Sequence, residues 1–193
     1  ISTCLFGQPG WKTTLSWGAV PGKAYTPPAN PNERPSANWY GGCCLPNTSG
    51  TVNLSGFGKL APFGDSACSA TDANRKANLC YATGQTLQRA QLKVNYNSDC
   101  SAALTDWCLP TAGKLDYTIN FSSGSPCTGQ LPSSPVMRWF SIDVTSCLST
   151  IAKVNSISTV SLKFNCNVCT GNTKKLEGAE LLIDFNGTGN MIT

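Results

Sequence analysis

At 193 residues the chain is long enough for one domain that buries roughly 70% of its unfolded surface. Only 12% of its residues are charged, and Gly, Pro, Ser, Thr and Asn abound, a composition that fits turn-rich β structure and fits a helical bundle poorly. The net charge of +4 comes from scattered Lys and Arg, with Arg75-Lys76 and Lys174-Lys175 the only adjacent pairs, so the clustered basic stripe of a nucleic-acid surface is missing and no nucleic-acid partner is expected.

The first 45 residues read as an arm or wrapping segment, and 46–193 as a β-sandwich domain. Half of the 12 prolines fall within the first 35 residues, and Tyr25–Pro35 (YTPPANPNERP) predicts extended, polyproline-like backbone. Gly41-Gly42-Cys43-Cys44 and Gly56–Gly64 read as turns with short strands between them. Up to about residue 85 the apolar residues follow no sustained period.

Beyond that point a period of two takes over. Ala90, Leu92, Val94 and Tyr96 form one apolar face; Leu115, Tyr117, Ile119 and Phe121 form another. Phe140, Ile142 and Val144 alternate with Ser141 and Asp143, and Trp139 beside them is expected to cover one end of the core. Thr145–Lys153 loses the alternation and leaves room for one short helical turn. Val160, Leu162 and Phe164, then Ala179, Leu181, Ile183 and Phe185, complete the set. Half-buried strands of this kind predict an all-β fold: a disulfide-stapled antiparallel β-sandwich, jelly-roll-like, with an extended Pro-rich N-terminal arm.

Three stretches, TLQRAQLKV, RWFSIDVTSCL and GAELLIDF, carry a family likeness. In this order residues 86–185 resemble the jelly-roll domains of DNRLRE type in microbial surface proteins, which are similar in layout to the propeptides of TGF-β-like factors. Ile142–Ser146 match the central motif and Ala179–Ile183 the closing strand, while Cys147, Cys166 and Cys169 interrupt the pattern and residues 1–85 have no counterpart. The resemblance implies a jelly roll with a cell-surface or matrix role and carries over no catalytic residue.

The 11 cysteines, with no histidine, point to an oxidising compartment outside the cell. Candidates for disulfides are Cys43, Cys44, Cys68, Cys80, Cys100, Cys108, Cys127, Cys147, Cys166 and Cys169; Cys68 with Cys80 and Cys100 with Cys108 would close short loops, but spacing does not assign connectivity. The CxxC of Cys166–Cys169 has no second ligand pair for zinc and no βαβ context for redox work. The count is odd, so at least one thiol stays free or bonds outside the chain, and Cys4 is the candidate. The start at Ile1, without a charged and apolar leader, is read as a mature product whose export signal has been removed.

Four sequons, at Asn47, Asn53, Asn120 and Asn186, are candidate N-glycosylation sites, and Asn120 and Asn186 are placed to face solvent. Trp39, Tyr40 and Trp107 are candidate sugar-stacking residues, with an aromatic plug between arm and sandwich as the other reading of Trp39-Tyr40. The acidic residues are dispersed and the serines have no histidine to activate them, so no catalytic residue, metal site or cofactor is expected. No apolar run approaches the roughly 20 residues of a membrane span. Catalytic emptiness, the cysteine count and the long arm together predict a non-enzymatic extracellular structural subunit. It would be a homo-oligomer in a filament, sheath or matrix, built by giving a terminal strand such as Ile1–Phe6 to a neighbouring copy. A secreted carbohydrate-binding or adhesive module is the alternative.

Overall fold

The structure, a computed structural model, describes residues 12–19, 51–68, 78–98, 114–134, 136–164 and 174–187. It is an all-β fold with two four-stranded antiparallel sheets packed face to face. In chain order the strands are β1 (Lys12–Ala19), β2 (Thr51–Leu54), β3 (Leu60–Pro62), β4 (Leu79–Tyr81), β5 (Thr86–Ser98), β6 (Leu115–Phe121), β7 (Cys127–Leu131), β8 (Arg138–Asp143), β9 (Ile157–Phe164) and β10 (Lys174–Asn186). One short helix, α1 (Ile151–Asn155), precedes β9. Sheet A runs β1-β10-β5-β8 and sheet B runs β2-β9-β6-β7. With the small parallel pair β3-β4 set aside, the remaining strands interleave between the sheets in jelly-roll order.

Alternation places the core. Ala90, Leu92 and Val94 of β5, Leu115 and Ile119 of β6, Val160 and Leu162 of β9, and Leu181, Ile183 and Phe185 of β10 are all fully buried between the sheets. Their neighbours in sequence face outward, as a two-residue period requires when one face is covered. Tyr96 lies in the same core, against Phe140 and Phe164.

Residues 12–19, inside the segment expected to be an arm, are a strand of the sandwich itself. β1 pairs along its whole length with β10, Lys12 opposite Asn186 and Ala19 opposite Ala179. Leu15 and Trp17 point inward, Trp17 is fully buried, and its indole meets Phe57 edge-on with ring centroids 5.6 Å apart. Two inward apolar residues in a Pro- and Gly-rich neighbourhood are too few to show a period, which is why the sequence reads as unpatterned there.

The β3-β4 pair forms a satellite cluster of Ala61, Ala67, Cys68 and Cys80, closed by a Cys68–Cys80 disulfide. The side chain of Asn155 ties this unit to the end of α1: its Oδ1 accepts from the Leu60 N–H at 2.7 Å and its Nδ2 donates to the Leu60 carbonyl at 2.9 Å. That is the pattern of a strand partner, supplied by one amide. Thr150 caps α1, its Oγ1 accepting from the Lys153 N–H. Another disulfide among the described residues, Cys127–Cys147, links β7 of sheet B to the turn after β8 of sheet A. Among the described residues no helix is long and apolar enough to cross a membrane.

Candidate functional site: the open edge of sheet A

Sheet A ends on one side at β8, and among the described residues no strand lies beyond it. The register of β8 against β5 is unbroken from Arg138 opposite Tyr96 to Asp143 opposite Gln91. Just past β8, the Val144 N–H donates to the Ala90 carbonyl at 2.9 Å. Antiparallel pairing alternates, so Phe140 and Ile142 share the parity of Val144 and direct their backbone groups at β5. Trp139, Ser141 and Asp143 direct theirs at the open side.

The side chains at this edge are equally unfinished. The large apolar residues exposed among the described residues are Val136, 57% exposed, and Trp139, 47% exposed, and both lie at β8 or just before it. Phe140 and Ile142 face the core yet are only half-buried. Arg138 sits over the Phe140 ring, 4.5 Å from its centroid, and Lys93 stands 5.6 Å from the indole of Trp139. Beside Trp139, across the strand pair, Asn95 holds a buried Oδ1 with no hydrogen-bond partner among the described residues. Natural sheets normally blunt or cover such an edge, because its free N–H and C=O groups template further pairing.

The end of the edge is firmly set. Asp143 Oδ1 accepts from the Thr145 N–H at 2.8 Å, and Thr145 Oγ1 accepts from the Ala90 N–H at 3.0 Å, replacing the strand that stops there. Hydrogen bonding from the Thr145 side chain first and its backbone N–H second, and more weakly the nearby Arg89, hold the Asp143 carboxyl below its ordinary value. The Cys127–Cys147 bridge then fixes the turn beyond β8.

Trp139 does not cover an end of the core. Once Phe140 and Ile142 point inward, period two places Trp139 with Ser141 and Asp143 on the outer face, and RWFSID carries that parity in its own sequence. The open edge itself has no such signal, because it depends on which strand lies last in the sheet. Of the other candidate residues, Cys4, Trp39, Tyr40, Cys43, Cys44, Asn47, Cys100, Cys108, Trp107, Cys166 and Cys169 lie outside the described residues. Asn53 is exposed on β2, Asn120 is partly buried on the outer face of β6, and Asn186 ends β10 with its Oδ1 accepting from the Gly187 N–H.

The acidic side chains serve local structure. Asp65 Oδ1 accepts from the Ala67 N–H, and Asp184 takes both the Thr14 hydroxyl and the Arg89 guanidinium. Among the described residues no group of three or more Cys, Asp or Glu side chains gathers as a metal site would need. No protein-family model matches the chain, and no curated protein matches it.

Proposed function

We propose that this chain is a non-enzymatic extracellular structural subunit that assembles head-to-tail, a terminal strand of one copy lying along β8 of the next. The observation that carries the reading is the edge of sheet A, where three outward-directed backbone positions, two exposed apolar side chains and two half-buried core residues come together. A strand added there gains main-chain hydrogen bonds from Trp139, Ser141 and Asp143 and covers Phe140 and Ile142, as in β-augmentation generally. Disulfides in the fold suit the same extracellular setting.

Reach favours a neighbouring copy over the chain's own edge. The segment before Lys12 leaves from β1, and β1 and β8 are opposite edges of one sheet. A strand at Ile1–Phe6 paired beyond β8 would lie four strand spacings from β1, about 19 Å. The six steps from Phe6 to Lys12 reach about 20–22 Å fully extended, barely the straight-line distance, and the path around the sheet is longer. Donor and acceptor surfaces differ, so repeated addition makes an open filament rather than a closed dimer.

Electron microscopy of the full-length protein and two variants tests this. Ser141→Pro removes an N–H on the open side while sparing the ladder to β5, a position where an edge strand tolerates proline; the second variant lacks residues 1–11. The expected result is filaments from the parent protein and folded monomers from both variants, with near-ultraviolet circular dichroism unchanged. Filaments from either variant equal in number and length to those of the parent overturn the assignment.

The adhesive reading has one observation of its own, the exposed Trp139 with Lys93 beside it on the outer face of a jelly roll, a fold that also serves lectins. Retardation of the monomeric Ser141→Pro protein in polysaccharide gels, lost on Trp139→Ala, is what that reading requires.

A further inference from the structure

We infer that Asn53 is an N-glycan attachment site and that Asn120, a sequon on the same sheet face, stays unmodified in the folded protein. The inference is independent of how copies assemble.

Both residues lie on the outer face of sheet B, where Asn53 of β2 stands opposite Ser161 of β9, and Asn120 of β6 stands opposite Thr159 of β9. A directed chain of hydrogen bonds connects them. Asn120 Nδ2 donates to Thr159 Oγ1 at 3.0 Å and to Ser161 Oγ at 3.2 Å. Ser161 Oγ in turn donates to Asn53 Oδ1 at 2.6 Å. The two amides therefore play opposite parts. Asn120 uses both protons of its nitrogen inside the face, whereas Asn53 is held through its oxygen, which turns Nδ2 away from Ser161.

Asn53 is exposed on an edge strand, and Ser55, the hydroxyl member of its sequon, is exposed two residues along. Attachment forms a bond from Nδ2 to the anomeric carbon of a lipid-linked diphosphate oligosaccharide. The anomeric carbon–oxygen bond to the diphosphate breaks, the diphosphate leaves with the electron pair, and Nδ2 gives up one proton to a base with no change of oxidation state. At Asn53 the product keeps Oδ1 and its bond to Ser161. At Asn120 the same substitution deletes one of two hydrogen bonds at the centre of the sheet face and places a bulky, solvated group over β9.

Transfer occurs on the unfolded chain, so the difference arises among molecules that go on to fold and leave the cell. A sugar on Asn53 also stands over the β2 edge of sheet B and obstructs strand addition there.

Glycopeptide mass spectrometry of the full chain, secreted from a eukaryotic host, tests the inference. Asn53 is expected to carry sugar in most molecules, with occupancy at Asn120 at least tenfold lower. The variant Ser161→Ala, which frees one Asn120 proton, is expected to raise Asn120 occupancy several-fold in the secreted pool. Unmodified Asn53, or comparable occupancy at the two sites in the parent protein, overturns the assignment.

Discussion

The two edges of sheet A occupy equivalent places in the fold and are finished differently. β1 buries Trp17 and Leu15, at 0% and 5% exposure, and Phe57 closes over the indole. β8 leaves Phe140 and Ile142 half-covered and sets Trp139 and Val136 in solvent. The inward side chains Leu15 and Trp17 of the first edge strand are covered by the chain itself. The second leaves its inward side chains half-covered, and under the proposed assembly the contrast would separate stability from strand addition within a single sheet.

The largest expected effect breaks the sealed edge. Trp17→Ala removes a fully buried indole and is expected to cost about 3–5 kcal/mol in urea unfolding, enough to release β1 from β10. Phe140→Ala, at the open edge, is expected to cost about 2 kcal/mol, because only part of its surface is removed from water in the isolated chain. Assembly should order the two the other way: filament yield falls more with Phe140→Ala than its stability loss accounts for. Equal stability costs at the two positions would remove the asymmetry on which the comparison rests.

Next comes the clamp beside the open edge. Cys127 and Cys147 are 20 residues apart, and a loop of that length is worth about 3 kcal/mol to the folded state through restriction of the unfolded chain. The double variant Cys127→Ser with Cys147→Ser is expected to lose that amount. Hydrogen exchange in β8 should speed up more than in β1, since the bridge holds the turn just beyond β8. Uniform acceleration across both edges would show that the bridge acts on the whole fold and not on this edge.

How much of this was legible in the chain depends on strand length and on what fills the inward positions. β5, β6, β9 and β10 each carry three or more inward apolar residues, and their alternation is plain. β7 is not, because its inward positions are Cys127, Gly129 and Leu131; a side chain at Gly129 would collide with the ring of Tyr117, which fills that space from the next strand. The jelly-roll order of the sheets follows from pairing across long sequence separations, and local pattern carries only its parts. The outer faces were half legible: parity shows that Asn120 faces out, but only the register reveals that Thr159 and Ser161 occupy its amide.

The smallest effect sharpens the picture of the layer beneath β8. Tyr96 is fully buried under Phe140, and its hydroxyl donates to the Pro132 carbonyl in the connection between β7 and β8. Burial pushes its phenol well above the ordinary tyrosine value, against a smaller opposing effect of Arg138, and burial raises Tyr117 and Tyr81 as well. The unfolded chain therefore sheds these protons first. Below about pH 10 the full contribution to stability is present; as the pH rises beyond that, stability falls by up to about 1.4 kcal/mol per pH unit for each such tyrosine until the folded form titrates too. Tyr96→Phe is expected to cost about 1 kcal/mol at neutral pH, since the exposed Pro132 can turn to water, and to make the alkaline decline shallower by one tyrosine's share. Equilibrium urea unfolding at pH 7 and at intervals above pH 10 measures both. An unchanged alkaline slope would place the sensitive phenol elsewhere and leave the β7–β8 connection held without it.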